Sequence, residues 1–388
     1  MPSLHRPRLA CTVLASLLLV ASARAQSSIE ERLQRLEQEV GTLRQENAEL
    51  RRELGVESRA GQLDVKPAGQ EPSLSVGGLI QAQTELGEKG DSRFITGNNR
   101  FYLRRARINA TGRFLEDFDF RVELEAGAGS LTEAVGNTQR AQLADAFISW
   151  HHYPAANLKI GQFKTPFGYE QLLGDSRQYT IERSLAGDRL TLGRQIGVQV
   201  GGDLFDQRIS YATGLFNGTG VNTNANDNDR FLWAGRVTGT AWSGRLLGQD
   251  ARWTVGTDAY VSDDTNLAGL PAEFGFDSVP GGPKDGVFTG SRFGRSISTQ
   301  LHLGPFDLLT EYLDVRFRPA DTIPFATFHA DGWYAQAAYF IVPRFVQTAV
   351  KYEQFDADDR LGGDSTRTWT LGLNWFLKDN DLKLQFDW

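Results

Sequence analysis

The sequence predicts an all-β protein: a transmembrane antiparallel β-barrel preceded by an N-terminal coiled-coil helix. Three observations support this prediction. Polar and apolar residues alternate with a period of two from Leu74 onward, as they do in strands that separate water from an apolar phase. The connections between these segments are alternately short and long, which is typical of outer-membrane barrels. Before them, residues 26–56 repeat with the heptad period of a coiled coil.

The composition excludes several classes of protein. The chain has 388 residues and a formal net charge of −7, which argues against a nucleic-acid partner. Charged residues make up 23% of the chain and the mean hydropathy is −0.36, so a helical membrane protein is excluded. The single cysteine, Cys11, lies in the N-terminal segment. The rest of the chain therefore has no disulfide and depends on backbone pairing or a large core.

Residues 1–25 have the features of a secretory signal peptide. Basic residues precede an apolar run over residues 9–21, and Ala-Arg-Ala at residues 23–25 matches the small-residue cleavage pattern. The alternative is a transmembrane helix, but the apolar run is too short and strongly polar sequence follows it. We therefore expect the mature chain to begin at Gln26.

Residues 26–56 are predicted to form a coiled-coil oligomerisation helix. The a positions are Leu33, Val40, Asn47 and Leu54, and the d positions are Ile29, Leu36, Leu43 and Leu50. The g and e charges are opposite in sign, which favours a parallel homo-oligomer, while dimer and trimer both remain open. A lone solvated helix is the alternative interpretation. A linker rich in Gly, Pro and charged residues follows at 57–73, and the barrel is predicted at 74–388.

One face of the predicted strands carries many charges. Arg105, Arg107 and Arg113 share a face of one strand, and Asp119 and Glu123 share a face of the next. The longest connection, from Pro166 to Arg194, has no alternation of its own and contains four arginines and four carboxylates, so its formal charge is zero. Such long connections in compact folds are usually functional or disordered. We expect this one to fold into the mouth of the barrel and narrow it.

Counting the alternating segments gives about fifteen strands, whereas bacterial single-chain barrels have an even number. Three explanations stay open at this point. The complete protein continues beyond Trp388, two strands have been merged in the count, or residues 62–65 contribute a further strand.

Five motifs resemble the phosphate-selective porin O/P family. They are YLRRARI at 102–108, LKIGQFKTPFG at 158–168, IERSL at 181–185, GRQIG at 193–197 and GWYAQAAY at 332–339. The resemblance covers residues 74–388. It implies a homotrimeric barrel of about 16 strands, one more than counted, in the lipid of a bacterial outer membrane. It also implies a porin that passes small hydrophilic solutes and prefers anions such as phosphate, with the coiled coil in the periplasm.

The same resemblance points to basic residues that line the pore. The Arg104-Arg105 pair matches an Arg-Arg pair of the family, and Arg177 lies near the position of its constriction-loop lysine. The full set of candidates for the pore and for anion binding is Arg104, Arg105, Arg107, Arg113, Lys164, Arg177 and Arg183. By strand parity, Arg105 faces the lumen with Arg107, and Arg104 falls on the opposite face. The alternative is that these arginines only pair with carboxylates across the barrel.

No enzyme, metal or cofactor is predicted. Gly-Asp-Ser at 174–176 resembles a hydrolase motif but lacks the strand–turn–helix setting that this motif needs, and His151-His152 lacks further zinc ligands. Two other interpretations of the whole chain are kept. The protein is a structural envelope protein whose coiled coil tethers the barrel to the cell wall or a partner, or it is a soluble all-β binding protein.

Overall fold

The computed structural model describes residues 73–88, 99–127, 141–267, 287–321, 326–363 and 365–388, together with Leu270, Phe274 and two short strands at Val56–Arg59 and Gln62–Val65. The predicted signal peptide at 1–25 lies outside the described residues, as does the predicted coiled coil at 26–56 apart from Val56, which belongs to the first short strand. The predicted linker at 57–73 contains the whole of the second short strand and all of the first except Val56.

The described chain is almost entirely β-strand. The two short strands, β1 and β2, are followed by fifteen longer ones: β3 Ser73–Glu85, β4 Arg100–Phe114, β5 Phe118–Glu125, β6 Gln142–Tyr153, β7 Ala156–Lys164, β8 Arg194–Leu204, β9 Ile209–Phe216, β10 Leu232–Leu246, β11 Gln249–Leu267, β12 Phe288–Leu303, β13 Phe306–Pro319, β14 Phe328–Val342, β15 Val346–Asp356, β16 Thr366–Lys378 and β17 Leu382–Asp387. Two short helices, α1 (Tyr169–Leu172) and α2 (Leu185–Arg189), lie between β7 and β8.

From β3 to β17, each strand pairs antiparallel with the next one in the chain. The fifteen strands therefore form one continuous antiparallel sheet, which confirms the all-β antiparallel prediction. The strand order also contains β2, which follows β17 and precedes β3. Of the three explanations offered for an odd strand count, a contribution from residues 62–65 agrees with this order.

The two faces of the sheet differ as the sequence predicts. Along β3, Leu74, Val76 and Ile80 are exposed, while Ser75 and Gln81 between them are half-buried. Ile80 is 79% exposed. Exposing a whole row of such apolar side chains to water would cost free energy. The apolar side chains thus lie on the open face of the sheet and the polar ones on the enclosed face, the reverse of a soluble sandwich.

The connections alternate in length, as predicted. Those after β4, β6, β8, β10, β12, β14 and β16 are two to four residues long, and those after the intervening strands are eight to 29 residues long. In the first short turn Leu115 and Glu116 have φ of 48° and 59°, values that match the twist of a tight antiparallel hairpin. All short connections therefore lie at one end of the sheet and all long ones at the other.

Part of the enclosed face is an apolar core rather than a wet wall. Phe167 and Leu185, from the connection between β7 and β8, are buried against inward side chains of β9 to β15. The Phe167 and Tyr260 rings meet edge to face, with centroids 4.8 Å apart. Among the described residues, no helix has the length and apolar character to cross a membrane.

Candidate functional site

The segment between β7 and β8, residues 165–193, folds against the enclosed face of the sheet. It consists of α1, a 3₁₀ turn at Asp175–Arg177 and α2. Gly168 starts α1 with φ of +85°, and a Cβ there would lie 2.5 Å from Thr191, so only glycine fits. Ser184 caps α2 by accepting a hydrogen bond from the Gly187 N–H. We call residues 165–193 the inward segment.

Carboxylates on four strands hold the backbone of the inward segment. Each accepts a hydrogen bond from a backbone N–H that has no partner within the segment's short helices. The pairs are Asp258 with Gly168 (2.8 Å), Glu311 with Tyr169 (2.7 Å), Glu353 with Leu185 (2.6 Å) and Asp387 with Ile181 (2.7 Å). These strands, β11, β13, β15 and β17, therefore provide the wall to which the segment is anchored.

Arginines of β4 contact the carboxylates of the same segment. Arg104 makes two hydrogen bonds to Glu182, at 2.7 and 2.8 Å, the bidentate geometry that guanidinium favours. The Arg105 Nε lies 3.3 Å from an oxygen of Asp175, and Arg107 is bound to the other oxygen of Asp175. The inward segment is thus tied to β4 as well as to β11–β17.

The parity prediction for Arg104 is wrong. Gln81 of β3 pairs with Arg105 and Ala82 pairs with Leu103, so Arg104 is an extra residue on β4. Such a β-bulge interrupts the alternation and lets two consecutive side chains project to one face. Both Arg104 and Arg105 therefore reach the inward segment. No feature of the sequence marks the bulge.

More basic groups surround this contact than carboxylates. Arg194 binds Asp145 (2.7 Å) and Glu123 (3.4 Å), Arg121 binds both of these, Arg183 binds Asp175, and Lys164 lies close enough to Asp175 to interact with it electrostatically. The connected set, which we call the arginine cluster, contains Arg104, Arg105, Arg107, Arg121, Arg183, Arg194 and Lys164 with Asp175, Glu182, Glu123, Glu125 and Asp145. Seven basic side chains meet these five carboxylates, and a sixth, Asp188, interacts electrostatically with Arg104, so basic side chains outnumber carboxylates by one.

Two carboxyls of the inward segment have opposite pKa shifts. Burial alone would raise the pKa of Asp175, but Arg183, Arg105 and Arg107 together hold this pKa well below its usual range. Burial raises the pKa of Glu170, and the nearby Lys351 only partly opposes that effect. One oxygen of Glu170 accepts a hydrogen bond from the Ser184 N–H at 2.7 Å, and the other is buried without a hydrogen-bond partner.

The structure brings five of the seven predicted site residues together: Arg104, Arg105, Arg107, Lys164 and Arg183. The other two lie apart. Arg113 is next to the first short turn, where it forms an exposed pair with Asp119 at 3.3 Å. Arg177 is exposed and forms no ion pair within the described part of the chain. The alternative that these arginines pair with carboxylates fits Arg104, Arg105, Arg107, Arg113 and Arg183.

Two basic members of the cluster were missed. Arg121 follows the same strand parity as Asp119 and Glu123, so alternation places it on the polar face. Arg194 is the first residue of β8, although the sequence suggests that it ends the preceding connection. Parity was sufficient to find Arg121, but only the partners of Arg194 on β5 and β6 distinguish it from an ordinary loop arginine.

These features can be compared with known proteins. A family model described as phosphate-selective porin O and P matches residues 76–388. The chain belongs to this family. It is 22% identical over 377 residues to Porin O of Pseudomonas aeruginosa, an alignment that covers 82% of this chain and 83% of that protein. Membership of a porin family supports the expectation that the chain is not an enzyme.

The chain can also be compared with solved structures. The outer membrane channel DcaP of Acinetobacter baumannii is 12% identical, with a TM-score of 0.50 over 83% of this chain and 91% of that one. Salmonella typhi OmpF, in a complex with daunomycin, is 13% identical, with a TM-score of 0.49 over 86% and 91% of the two chains. At these identities the DcaP comparison bears on the fold alone.

Proposed function

We propose that the protein is an outer-membrane porin through which small hydrophilic solutes diffuse, with a preference for anions such as phosphate. The position of β2 between β17 and β3 supports a closed barrel of 16 strands, β2 to β17, with its apolar face in the outer-membrane lipid. An even strand number agrees with other single-chain barrels of bacteria.

The observation that supports the anion preference is the excess of positive charge in the arginine cluster. The cluster lies where the inward segment meets β4, on the enclosed face of the sheet. Fixed charges at a narrow point with walls of low dielectric constant act strongly on permeating ions. Because six carboxylates offset most of the arginines, we propose a moderate preference for anions rather than strict selectivity.

We further propose a homotrimer, with residues 1–25 removed as a signal peptide and residues 26–56 forming a periplasmic coiled coil. Of the predicted linker at 57–73, β2 then belongs to the barrel, and residues 74–388 form the rest of the porin. The heptad pattern and the family support this arrangement. Light scattering of the detergent-solubilised protein should give the mass of three chains. A variant lacking residues 26–56 should dissociate more readily on dilution, because it loses the parallel seam.

Conductance in planar bilayers tests the proposed function. The reconstituted protein should form open channels that pass chloride, and added phosphate should reduce the chloride current. Channels that pass chloride without any phosphate effect would limit the preference to anions in general. A silent bilayer with folded protein would contradict the porin proposal and favour the structural envelope protein tethered by its coiled coil.

A further inference from the structure

Asp175 has an unusual place in the arginine cluster. Its side chain is 1% exposed and lies among the guanidinium groups of Arg105, Arg107 and Arg183. Arg105 and Arg183 approach one carboxylate oxygen, and Arg107 approaches the other. One carboxylate thus contacts three guanidinium groups, of which Arg107 is also paired with Glu125.

This arrangement has the chemistry of an oxyanion-binding site. Guanidinium groups bind carboxylate and phosphate oxygens through the same planar N–H donors, and they do so most strongly away from water. Each guanidinium also has a second partner: Arg105 donates to Gln81, Arg107 to Glu125 and Arg183 to the Glu170 carbonyl. All three nevertheless direct donors at the same carboxylate. A free oxyanion such as inorganic phosphate presents the same oxygens with a larger charge, so the same donors suit it at least as well.

The attachment of Asp175 to its surroundings is mainly electrostatic. It begins a 3₁₀ turn of three residues, Asp175–Arg177, and Arg177 at the end of this turn is exposed. Next to it, a Cβ built on Gly174 would have no atom within 4 Å. The ion pairs are therefore the main contacts of the Asp175 carboxylate, and the residue before it in the turn borders open space.

We propose that Asp175 is a built-in competitor: its carboxylate occupies the oxyanion position of the arginine cluster, and a permeating oxyanion binds there only by displacing it. Asp175 then determines the specificity of the channel, because it weakens oxyanion binding at the arginine cluster and keeps the passage open to other solutes. This inference rests on the proposed porin function and adds to it the residue that sets the strength of the anion preference.

The test is the variant Asp175→Asn, which keeps the shape of the side chain and removes its charge. Binding of inorganic phosphate to the detergent-solubilised full chain is measured by calorimetry, and block of the chloride current by phosphate is measured in bilayers. We expect Kd and the half-blocking concentration to fall about tenfold, equivalent to about 1.4 kcal/mol. The matched control is Asp250→Asn, since the Asp250 carboxylate is 92% exposed and lies 3.8 Å from Arg245, which is not in the cluster.

Asp250→Asn changes the net charge by the same amount outside the cluster, and its phosphate affinity should stay within about twofold of the wild type. Unchanged or weaker phosphate binding by folded Asp175→Asn overturns the inference, as does an equal gain in both variants. If Asp175→Asn does not fold, the double variant Asp175→Asn/Arg183→Gln keeps the wild-type net charge and removes the carboxylate charge that faces Arg105 and Arg107. Tighter phosphate binding than in the wild type supports the inference, and equal or weaker binding overturns it. A wild-type protein that conducts no current contradicts the porin function, while the calorimetric comparison still decides the role of Asp175.

Discussion

The carboxylate of Glu353 accepts a 2.6 Å hydrogen bond from the backbone N–H of Leu185, a residue 168 positions earlier in the chain. Leu185 opens α2, so its N–H has no partner within the helix. The side chains of both residues are buried. One side chain of β15 thus binds the first N–H of α2, in addition to the Ser184 cap, which accepts from the Gly187 N–H.

We predict that Glu353→Ala destabilises the folded protein by about 1–3 kcal/mol, the usual cost of leaving a buried donor unpaired. The temperature at which the folded gel band of the barrel disappears measures this change. The control is Asp250→Ala, whose carboxylate is 92% exposed and lies 3.8 Å from Arg245. That variant should stay within about 0.5 kcal/mol of the wild type. Equal losses in the two variants would contradict the anchoring role of Glu353.

Arg107 and Arg113 form a matched pair of arginines on the same face of β4. Arg107 is largely buried and contacts Asp175, Glu125 and Glu123, whereas the Arg113 side chain is 55% exposed. We predict that Arg107→Gln lowers the free energy of unfolding by about 3–5 kcal/mol, because it leaves buried carboxylates unpaired. Arg113→Gln should change it by less than about 1 kcal/mol.

The same two variants should also differ in permeation. Arg107→Gln removes charge from the arginine cluster, so the ratio of chloride to potassium permeability should fall. Arg113→Gln should leave this ratio close to that of the wild type, because Arg113 lies near the short-turn end of the sheet. Reversal potentials in a salt gradient measure both effects. A larger change for Arg113→Gln would show that the cluster is not the selective point.

Glu170 gives a prediction about pH. Burial raises the pKa of Glu170 in the folded state above its value in the unfolded chain. Protonated Glu170 therefore adds to the free energy of unfolding at low pH. This stabilisation is lost as the pH rises through the folded-state pKa. Glu170→Gln stays neutral and still offers an oxygen to the Ser184 N–H. We therefore expect the variant to melt at a higher temperature than the wild type at neutral pH, with the difference shrinking in acid. A variant that is less stable at every pH would show that attraction to Lys351 outweighs the cost of burial.

Much of the fold could be predicted because the strands show themselves in the sequence as polar and apolar residues that alternate with a period of two. The exposed Ile80 and half-buried Gln81 follow directly from alternation in the sequence. The tight turn at Leu115–Asp117 follows from the break in that alternation. The position of β2 beside β17 could only be offered as one of three explanations, because no local pattern in four residues specifies a partner so distant in the chain.

The candidate site was less predictable. Arg105 and Arg107 were found by parity, but Arg104 was assigned to the wrong face because a bulge has no sequence signature. Asp175 appeared in the sequence as one acid among four in a connection of zero net charge. Only the folded inward segment brings it to three guanidiniums from two separate parts of the chain. The distinction between an anion-attracting arginine and a paired one thus depends on long-range contacts.

The zero-current potential of the wild-type channel in a KCl gradient is the most direct test of the central claim that a positively charged cluster lines a water-filled passage. With the full chain reconstituted in a planar bilayer, we expect a potential of the sign that shows chloride to be more permeable than potassium. A potential of the opposite sign, or the absence of channels from correctly folded protein, would contradict the account.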